Sequence, residues 1–266
     1  MADTAQKPEI AHLSRYETAG TVNIPKDVFE QVYLTPKLPV TGNLRTSFGN
    51  PTPMALAGFV VSTSSFACQA MGWRGAQTGV DLIGIFYFLG GMLQIIGAIF
   101  EIILGNTFPS VVFGTLGSFW LGLGVTEQYV LGGNLASENF QASFASAEQI
   151  RHAGLFLCFM AVISFMFLVC SLRTNMVFVF IFVFLEIAFC LLTAAYWYLA
   201  QDETETASRL QKAGGACIFV FSLAAWYLLF SVLLRSVDFP FSLPLGDLST
   251  RFKGAADRKK LAESLA

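Results

Sequence analysis

The chain has 266 residues, of which 55% are hydrophobic and only 13% are charged, and its mean hydropathy of +0.61 excludes an ordinary soluble domain. This composition predicts an all-α, polytopic membrane protein. The formal net charge of -2 says little as a total, because in a membrane protein the positions of the charges matter. The sequence has no basic patch that would indicate a nucleic-acid partner.

The first predicted helix follows a polar tail. Residues 1–48 mix both charges with scattered prolines and predict a flexible N-terminal tail. The helix covers residues 54–71, with Asn50 as a good N-cap and Pro51 at the first helical position, where a missing N–H is harmless. Facing a water-filled vestibule, such a helix start would attract a small anion. The alternative is that Asn50 and the prolines merely begin the helix.

Five further apolar runs follow, each near the roughly 20 residues that a membrane-spanning helix needs. They cover residues 80–104, 108–131, 153–170, 175–200 and 213–234. With the first helix they predict a six-helix transmembrane domain over residues 49–236 and a C-terminal tail over residues 237–266. Glycines crowd the second and third runs and predict close helix packing.

Basic residues indicate the orientation in the membrane. Lysine and arginine are concentrated in the two tails and in the loop at Arg173. The opposite side carries only Arg74, Arg151, Arg209 and Lys212. The positive-inside rule therefore predicts that both termini lie in the cytoplasm.

No pattern in the sequence indicates an enzyme. The five cysteines all lie within apolar runs, which is typical of packing residues rather than of disulfides or a metal site. The sequence shows no nucleophile with a neighbouring base, no metal-ligand cluster and no phosphate-binding loop. We therefore expect no catalytic residue, no metal and no cofactor.

Five ionisable or amide side chains lie within the predicted spans, where such groups are costly and often functional. Asp81 and Glu127 are near helix ends, where interfacial water can solvate them. Gln94 is in mid-span, so it either hydrogen-bonds to a neighbouring helix or lines a wet cavity. Glu101 lies one turn before Gly105 and either ties that turn to a helix start or belongs to a functional site.

Glu186, the fifth of these groups, lies near the middle of the fifth span. Desolvation at that depth favours the neutral carboxyl group. Glu186 either stays protonated and donates a structural hydrogen bond, or takes up and releases a proton during coupled transport. An ionised glutamate there would repel a passing anion, so a route for monocarboxylates favours the neutral form.

Three groups of residues resemble the acetate uptake transporter family, which includes bacterial acetate-succinate permeases and fungal acetate permeases. The first is similar to the family's NPAPLGL motif: Asn50-Pro51-Thr52-Pro53-Met54-Ala55-Leu56. The second resembles the family's GG-x-x-Q, E-x-x-x-GNTF and SYG-x-FWL series in order and spacing: Gly90-Gly91-Met92-Leu93-Gln94, Glu101, Gly105-Asn106-Thr107-Phe108 and Gly117-Ser118-Phe119-Trp120-Leu121. The third is typical of fungal members: Arg173-Thr174-Asn175 and Ala225-Trp226-Tyr227.

This resemblance implies a six-helix protomer with its own pore, assembled into a hexameric ring in the plasma membrane, that passes small monocarboxylates. The family's pore narrows at an apolar waist of a Phe, a Tyr and a Leu, which match Phe59, Leu116 and Leu185. Leu116 departs from the tyrosine and has no hydroxyl to hydrogen-bond a carboxylate. Ala55 in place of a motif glycine, and Glu186 beside the waist, are further departures. Together with the long tail, they resemble a divergent fungal branch linked to ethanol and acetate metabolism.

Two hypotheses follow. The first is a membrane transporter or channel for acetate or similar monocarboxylates, in which the helix start at residues 50–52 attracts the anion and the apolar waist passes it. Gln94 and Glu186 are then the polar groups nearest to the waist, and the partners are the substrate, membrane lipid and further copies of the chain. The second is a non-transporting membrane sensor or membrane organiser with the same fold and a closed pore, because the waist has lost its polar group.

Overall fold

The structure, a computed structural model, describes residues 48–76, 82–132 and 147–248, together with Arg251. These residues form six long helices and no strand. The helices are α1 (Thr52–Ala70), α2 (Ile85–Ile103), α3 (Thr107–Gly132), α4 (Ala147–Ser171), α5 (Met176–Leu199) and α6 (Thr204–Ser236). The polar residue Asp81 and most of the two tails lie outside the described residues.

Five helices, α2 to α6, are long and apolar enough to cross a membrane, which confirms the prediction of a helical, multi-pass membrane protein. The first helix is less apolar because a run of hydroxyl side chains, residues 62–65, occupies its middle. A sixth span at α1 therefore stays a prediction.

Two helices begin earlier than the apolar runs indicate. The first residue of α4 is Ala147 rather than residue 153, and that of α6 is Thr204 rather than residue 213. Their first turns are charged, so a search for apolar runs passes over them. In α6 the Glu205 carboxylate and the Arg209 guanidinium form an i,i+4 ion pair at 2.5 Å, which favours helix in this polar turn.

The helices pack in a continuous order. Helix α5 packs between α4 and α6, α1 packs between α6 and α2, and α3 packs against α2. Glycines allow the closest approaches: a Cβ on Gly58 of α1 would lie 2.2 Å from the Leu89 carbonyl oxygen of α2. A Cβ on Gly90 would lie 2.7 Å from the Trp120 ring. The glycine-rich segments thus bring three helix backbones together.

The first half of α2, Ile85–Leu93, is a π-helix rather than an α-helix. The α-helical part is Gln94–Ile103. The side-chain Nε2 of its first residue, Gln94, donates a hydrogen bond to the Gly90 carbonyl oxygen at 2.6 Å. π-Helical segments are rare and are frequent at functional sites. The helix therefore changes its winding at the motif that contains Gly90, Gly91 and Gln94.

The first part of the C-terminal tail is an ordered part of the bundle. The Met176 N–H donates to the Gly246 carbonyl oxygen at 2.8 Å, and the Leu248 N–H donates to the Thr174 carbonyl oxygen at 3.0 Å. The Tyr227 hydroxyl donates to the Pro244 carbonyl oxygen at 2.7 Å. Two motifs of the fungal type, at residues 173–175 and 225–227, therefore hold this segment against the start of α5.

Candidate substrate pathway

The start of α1 and the turn between α2 and α3 meet in a buried hydrogen-bond cluster. Glu101 of α2 is fully buried, at 0% exposure. Its Oε1 accepts a hydrogen bond from the Thr52 hydroxyl of α1, and its Oε2 accepts one from the Asn106 side-chain amide at 2.6 Å. Gly105 forms the turn with a φ of 78°, a conformation that favours glycine. Two sequence motifs that lie 49 residues apart are thus joined through one carboxyl group.

The backbone N–H groups at the start of α1 donate hydrogen bonds to neighbouring residues of the same segment. Pro51 occupies the N-cap position, one residue later than the sequence indicates, and Asn50 Oδ1 accepts a hydrogen bond from the Thr52 N–H at 3.0 Å. The Met54 N–H donates to the Pro51 carbonyl oxygen at 3.1 Å. Pro51 and Pro53 have no N–H. Over residues 51–54, therefore, each backbone N–H is hydrogen-bonded within the chain. The attraction of this helix start for an anion stays a prediction, and it rests on the helix dipole.

The three residues matched to the family's waist are buried in one hydrophobic cluster. Phe59, Leu116 and Leu185 are each 5% exposed. This low exposure describes packed side chains rather than the lining of a wide, water-filled channel. A second aromatic ring joins them: Phe221 of α6 stacks on Phe59 with 6.0 Å between ring centroids and 17° between ring planes. The sequence did not single out Phe221, since it is one of several aromatic residues in an uninterrupted apolar run.

Two waist residues lie at the same depth in the bundle. The helices α3 and α5 run in the same direction, and their Phe119 and Phe189 rings are 5.5 Å apart. Moving three residues back along each helix leads to Leu116 on α3 and Glu186 on α5. Because residues in an α-helix rise by about 1.5 Å each, Leu116 is level with Leu185 and Glu186.

Gln94 places a buried acceptor beside the waist. Its side chain is 0% exposed, and a Cβ on Gly117 would lie 3.0 Å from the Gln94 Cβ, so Gln94 packs against Gly117, the residue after Leu116. Its Nε2 is bonded to the Gly90 carbonyl oxygen, whereas its Oε1 has no hydrogen-bond partner among the described residues. Gln94 therefore hydrogen-bonds within its own helix rather than to a neighbouring helix.

Glu186 is half-buried, and its two carboxyl oxygens differ in their hydrogen bonding. The Cys190 thiol donates a weak hydrogen bond to Glu186 Oε1 at 3.7 Å. The other carboxyl oxygen, Oε2, is buried and has no hydrogen-bond partner within the described residues. Glu127 of α3 is also half-buried, close enough to the half-buried Tyr196 of α5 to interact electrostatically.

The remaining motif residues hold the helices together. Trp120 is buried, stacks on Phe86 of α2 at 5.1 Å, and meets Phe66 of α1 edge-on at 5.8 Å. Phe119 lies against Phe189 of α5, whereas Thr107 is exposed at the first residue of α3. The described part of the chain contains no group of three or more His, Cys, Asp or Glu side chains able to hold a metal ion.

Comparisons with known proteins agree on one family. The model of the GPR1/FUN34/yaaH family matches residues 33–250. The chain is 40% identical over 253 residues to protein alcS of Aspergillus fumigatus, a match that covers 93% of each chain. It is 30% identical over 204 residues to the acetate transporter protein patA of Aspergillus clavatus, covering 77% of this chain and 80% of that protein.

A solved structure is also similar. The bacterial acetate channel SatP matches with a TM-score of 0.60 and 26% identity, over 75% of this chain and 99% of the channel. A transporter and a channel are membrane proteins without an enzymatic reaction, which agrees with the expectation that this chain is not an enzyme.

Proposed function

The chain belongs to the GPR1/FUN34/yaaH family, and on that basis we propose that it is a plasma-membrane transporter or channel for acetate or a similar small monocarboxylate. The observation that carries this proposal is the similarity to the bacterial acetate channel SatP over 75% of this chain. Phe59, Leu116 and Leu185, at the positions of the family's waist, form part of one buried apolar cluster. Both termini lie in the cytoplasm in this proposal, because the basic residues are concentrated in the tails.

The waist selects the permeating species by excluding water. An apolar constriction gates a pore by dewetting, so a charged and hydrated anion crosses it less readily than a neutral molecule. Gln94 Oε1 is a buried acceptor without a partner among the described residues, and Gln94 packs against Gly117, the residue after Leu116. The buried cluster of Glu101, Thr52 and Asn106 holds the mouth of this route in a fixed shape.

The outer surface of the bundle fits a membrane and further subunits. Large apolar side chains are exposed along α2, α4, α5 and α6, including Phe88 and Phe159. Exposed apolar area of this kind is stable against lipid or against another protomer. In this proposal six protomers form a ring, each with its own pore, as the family resemblance implies.

Replacement of Leu116 by tyrosine tests the waist. We expect Leu116→Tyr to raise acetate flux by about two- to tenfold, the factor that corresponds to one additional hydrogen bond between the phenol and the carboxyl group. The measurement is uptake of labelled acetate into proteoliposomes with equal amounts of folded protein. Leu116→Phe is the matched control, because it adds the same ring without the hydroxyl. Equal fluxes for the tyrosine and phenylalanine variants would contradict this role of Leu116.

A second candidate function is a non-transporting sensor or membrane organiser of the same fold. Two observations favour it: leucine replaces the family's tyrosine, and all three waist side chains are buried. The two functions differ in one property, because only a transporter makes liposomes permeable to acetate.

A further inference from the structure

Ser164 of α4 carries a buried hydroxyl group that lacks the usual hydrogen bond to its own helix, a property it shares among the described residues with Thr193 of α5. A buried hydroxyl in a membrane helix usually donates to a carbonyl oxygen of its own helix. Thr63 donates to the Phe59 carbonyl at 2.7 Å, and Ser222 donates to the Phe219 carbonyl at 2.8 Å. Ser164 is 1% exposed, yet its Oγ has no hydrogen-bond partner among the described residues. Such a buried donor is costly unless a further group binds it.

The contacts between α4 and α5 give the depth of Ser164. The two helices are antiparallel: the Phe167 and Phe182 rings are 5.8 Å apart, and near the other ends a Cβ on Gly154 would lie 2.5 Å from Trp197 Nε1. Ser164 lies three residues before Phe167 on α4, and Leu185 lies three residues after Phe182 on α5. Because the helices are antiparallel, these two steps go in the same direction through the bundle. Ser164 is therefore level with Leu185, at the depth of the waist.

Glu186, the next residue after Leu185, contributes a second oxygen at the same depth. Its Oε2 is buried and, like the Ser164 hydroxyl, has no hydrogen-bond partner in the described part of the chain. The side chains of Ser164 and Glu186 are not hydrogen-bonded to each other. The interface between α4 and α5 thus holds two buried polar atoms without partners, from two different helices, beside a waist residue.

The groups that face Glu186 do not neutralise a negative charge on it. Cys190 is on its own helix, and Cys158 of α4 is close enough to Cys190 to interact electrostatically. Cys217 of α6 lies at a similar depth, because neighbouring Gly214 packs against the Leu192 side chain of α5. Glu127 of α3 is about three turns away from the level of Glu186. Thiols and carboxyls carry no positive charge, so a ligand that donates a hydrogen bond is a favourable partner for Oε2.

We propose that Ser164 Oγ and Glu186 Oε2 form a hydrogen-bonding site between α4 and α5, and that its ligand is the carboxyl group of the undissociated acid. This inference rests on the transport function proposed above and specifies the form of the substrate. The acid O–H donates to Glu186 Oε2, and the acid carbonyl oxygen accepts from the Ser164 hydroxyl. A carboxylate anion has no such donor, and an ionised Glu186 would repel it. No covalent bond changes and no proton leaves the acid.

Two readouts test this site. The first is uptake of labelled acetate into proteoliposomes at several pH values, where flux is expected to follow the concentration of undissociated acid and to rise as pH falls. The second is the melting temperature of the detergent-solubilised protein with and without acetamide, a neutral molecule that donates and accepts hydrogen bonds like the undissociated acid but does not ionise. We expect acetamide to raise the melting temperature and to compete with acetate uptake at every pH.

Ser164→Ala should lower uptake at low pH by about three- to tenfold, as expected for one lost hydrogen bond, and should remove the stabilisation by acetamide. Ser222→Ala is the matched control, because that hydroxyl is buried but bonded to its own helix; it should change neither readout. Glu186→Gln retains an acceptor and should keep acetamide binding while weakening the pH dependence of uptake.

Normal acetate uptake by the wild-type protein, together with unchanged uptake and unchanged acetamide binding in Ser164→Ala, would overturn the site and leave the transport function intact. Absence of acetate uptake in the wild-type protein would overturn the transport function. Stabilisation by acetamide that is lost in Ser164→Ala would support the site even then.

Discussion

Replacement of Glu101 by alanine is expected to lower the free energy of unfolding by about 2–5 kcal/mol, because it leaves the buried Thr52 hydroxyl and the Asn106 amide without their acceptor. The start of α1 would lose its tie to the turn between α2 and α3. Transport should fall with stability, since the mouth of the proposed route is built on this cluster. The measurement is the thermal unfolding of the solubilised protein, followed by size-exclusion chromatography.

Two further variants separate the hydrogen bonds from the charge. Glu101→Gln keeps one acceptor oxygen and should lie between the alanine variant and the wild-type protein. Glu205→Ala is the control for loss of a glutamate, because the Glu205 side chain is 79% exposed in its pair with Arg209 and should change the melting temperature little. A melting temperature for Glu101→Ala equal to that of Glu205→Ala would show that the cluster does not stabilise the bundle.

Replacement of Gly58 by alanine should also be strongly destabilising. The new Cβ would lie 2.2 Å from the Leu89 carbonyl oxygen in the π-helical part of α2, so the two backbones must separate. Overpacking of this kind costs about 1–3 kcal/mol or more. The shift would also move the adjacent waist residue Phe59, so acetate flux should fall. Thermal unfolding and uptake into proteoliposomes measure the two effects.

Gly122→Ala provides the matched control for Gly58→Ala. A Cβ on Gly122 would meet no atom within 4 Å, so the same substitution adds a methyl group in open space. Alanine is the better helix former by about 1 kcal/mol, and this variant should be as stable as the wild-type protein or slightly more stable. Equal destabilisation by both substitutions would refute the close approach of α1 to α2.

The sequence predicted the parts of the fold that depend on local composition. Apolar runs bounded by prolines, glycines and charged residues identify helices such as α3 and α5, because desolvation of the backbone demands helix in a membrane. The π-helical segment Ile85–Leu93 was not predicted; it packs closely against Gly58 of α1 and Trp120 of α3, contacts that local sequence does not reveal. The docking of residues 244–248 on the start of α5 likewise depends on contacts between distant parts of the chain.

Only those residues of the candidate site that match a family motif could be predicted from the sequence. Resemblance identified Phe59, Leu116 and Leu185, and the structure places all three in one buried cluster. Phe221 and Ser164 do not belong to a quoted family motif. An aromatic residue in an apolar run and a serine in a helix are both common, so neither residue could be singled out from the sequence. Their distinguishing features, a ring stacked on Phe59 and a buried hydroxyl without a partner among the described residues, exist only in three dimensions.

Labelled acetate uptake into proteoliposomes, measured beside protein-free vesicles and with and without an inward proton gradient, tests acetate transport by this protein most directly. The proposed function predicts uptake above that of the protein-free vesicles, and the undissociated acid as permeating species predicts faster uptake when the outside is more acidic. No uptake in either condition, with the protein shown to be folded in the vesicles, would contradict transport and favour a non-transporting protein with a closed waist at Leu116.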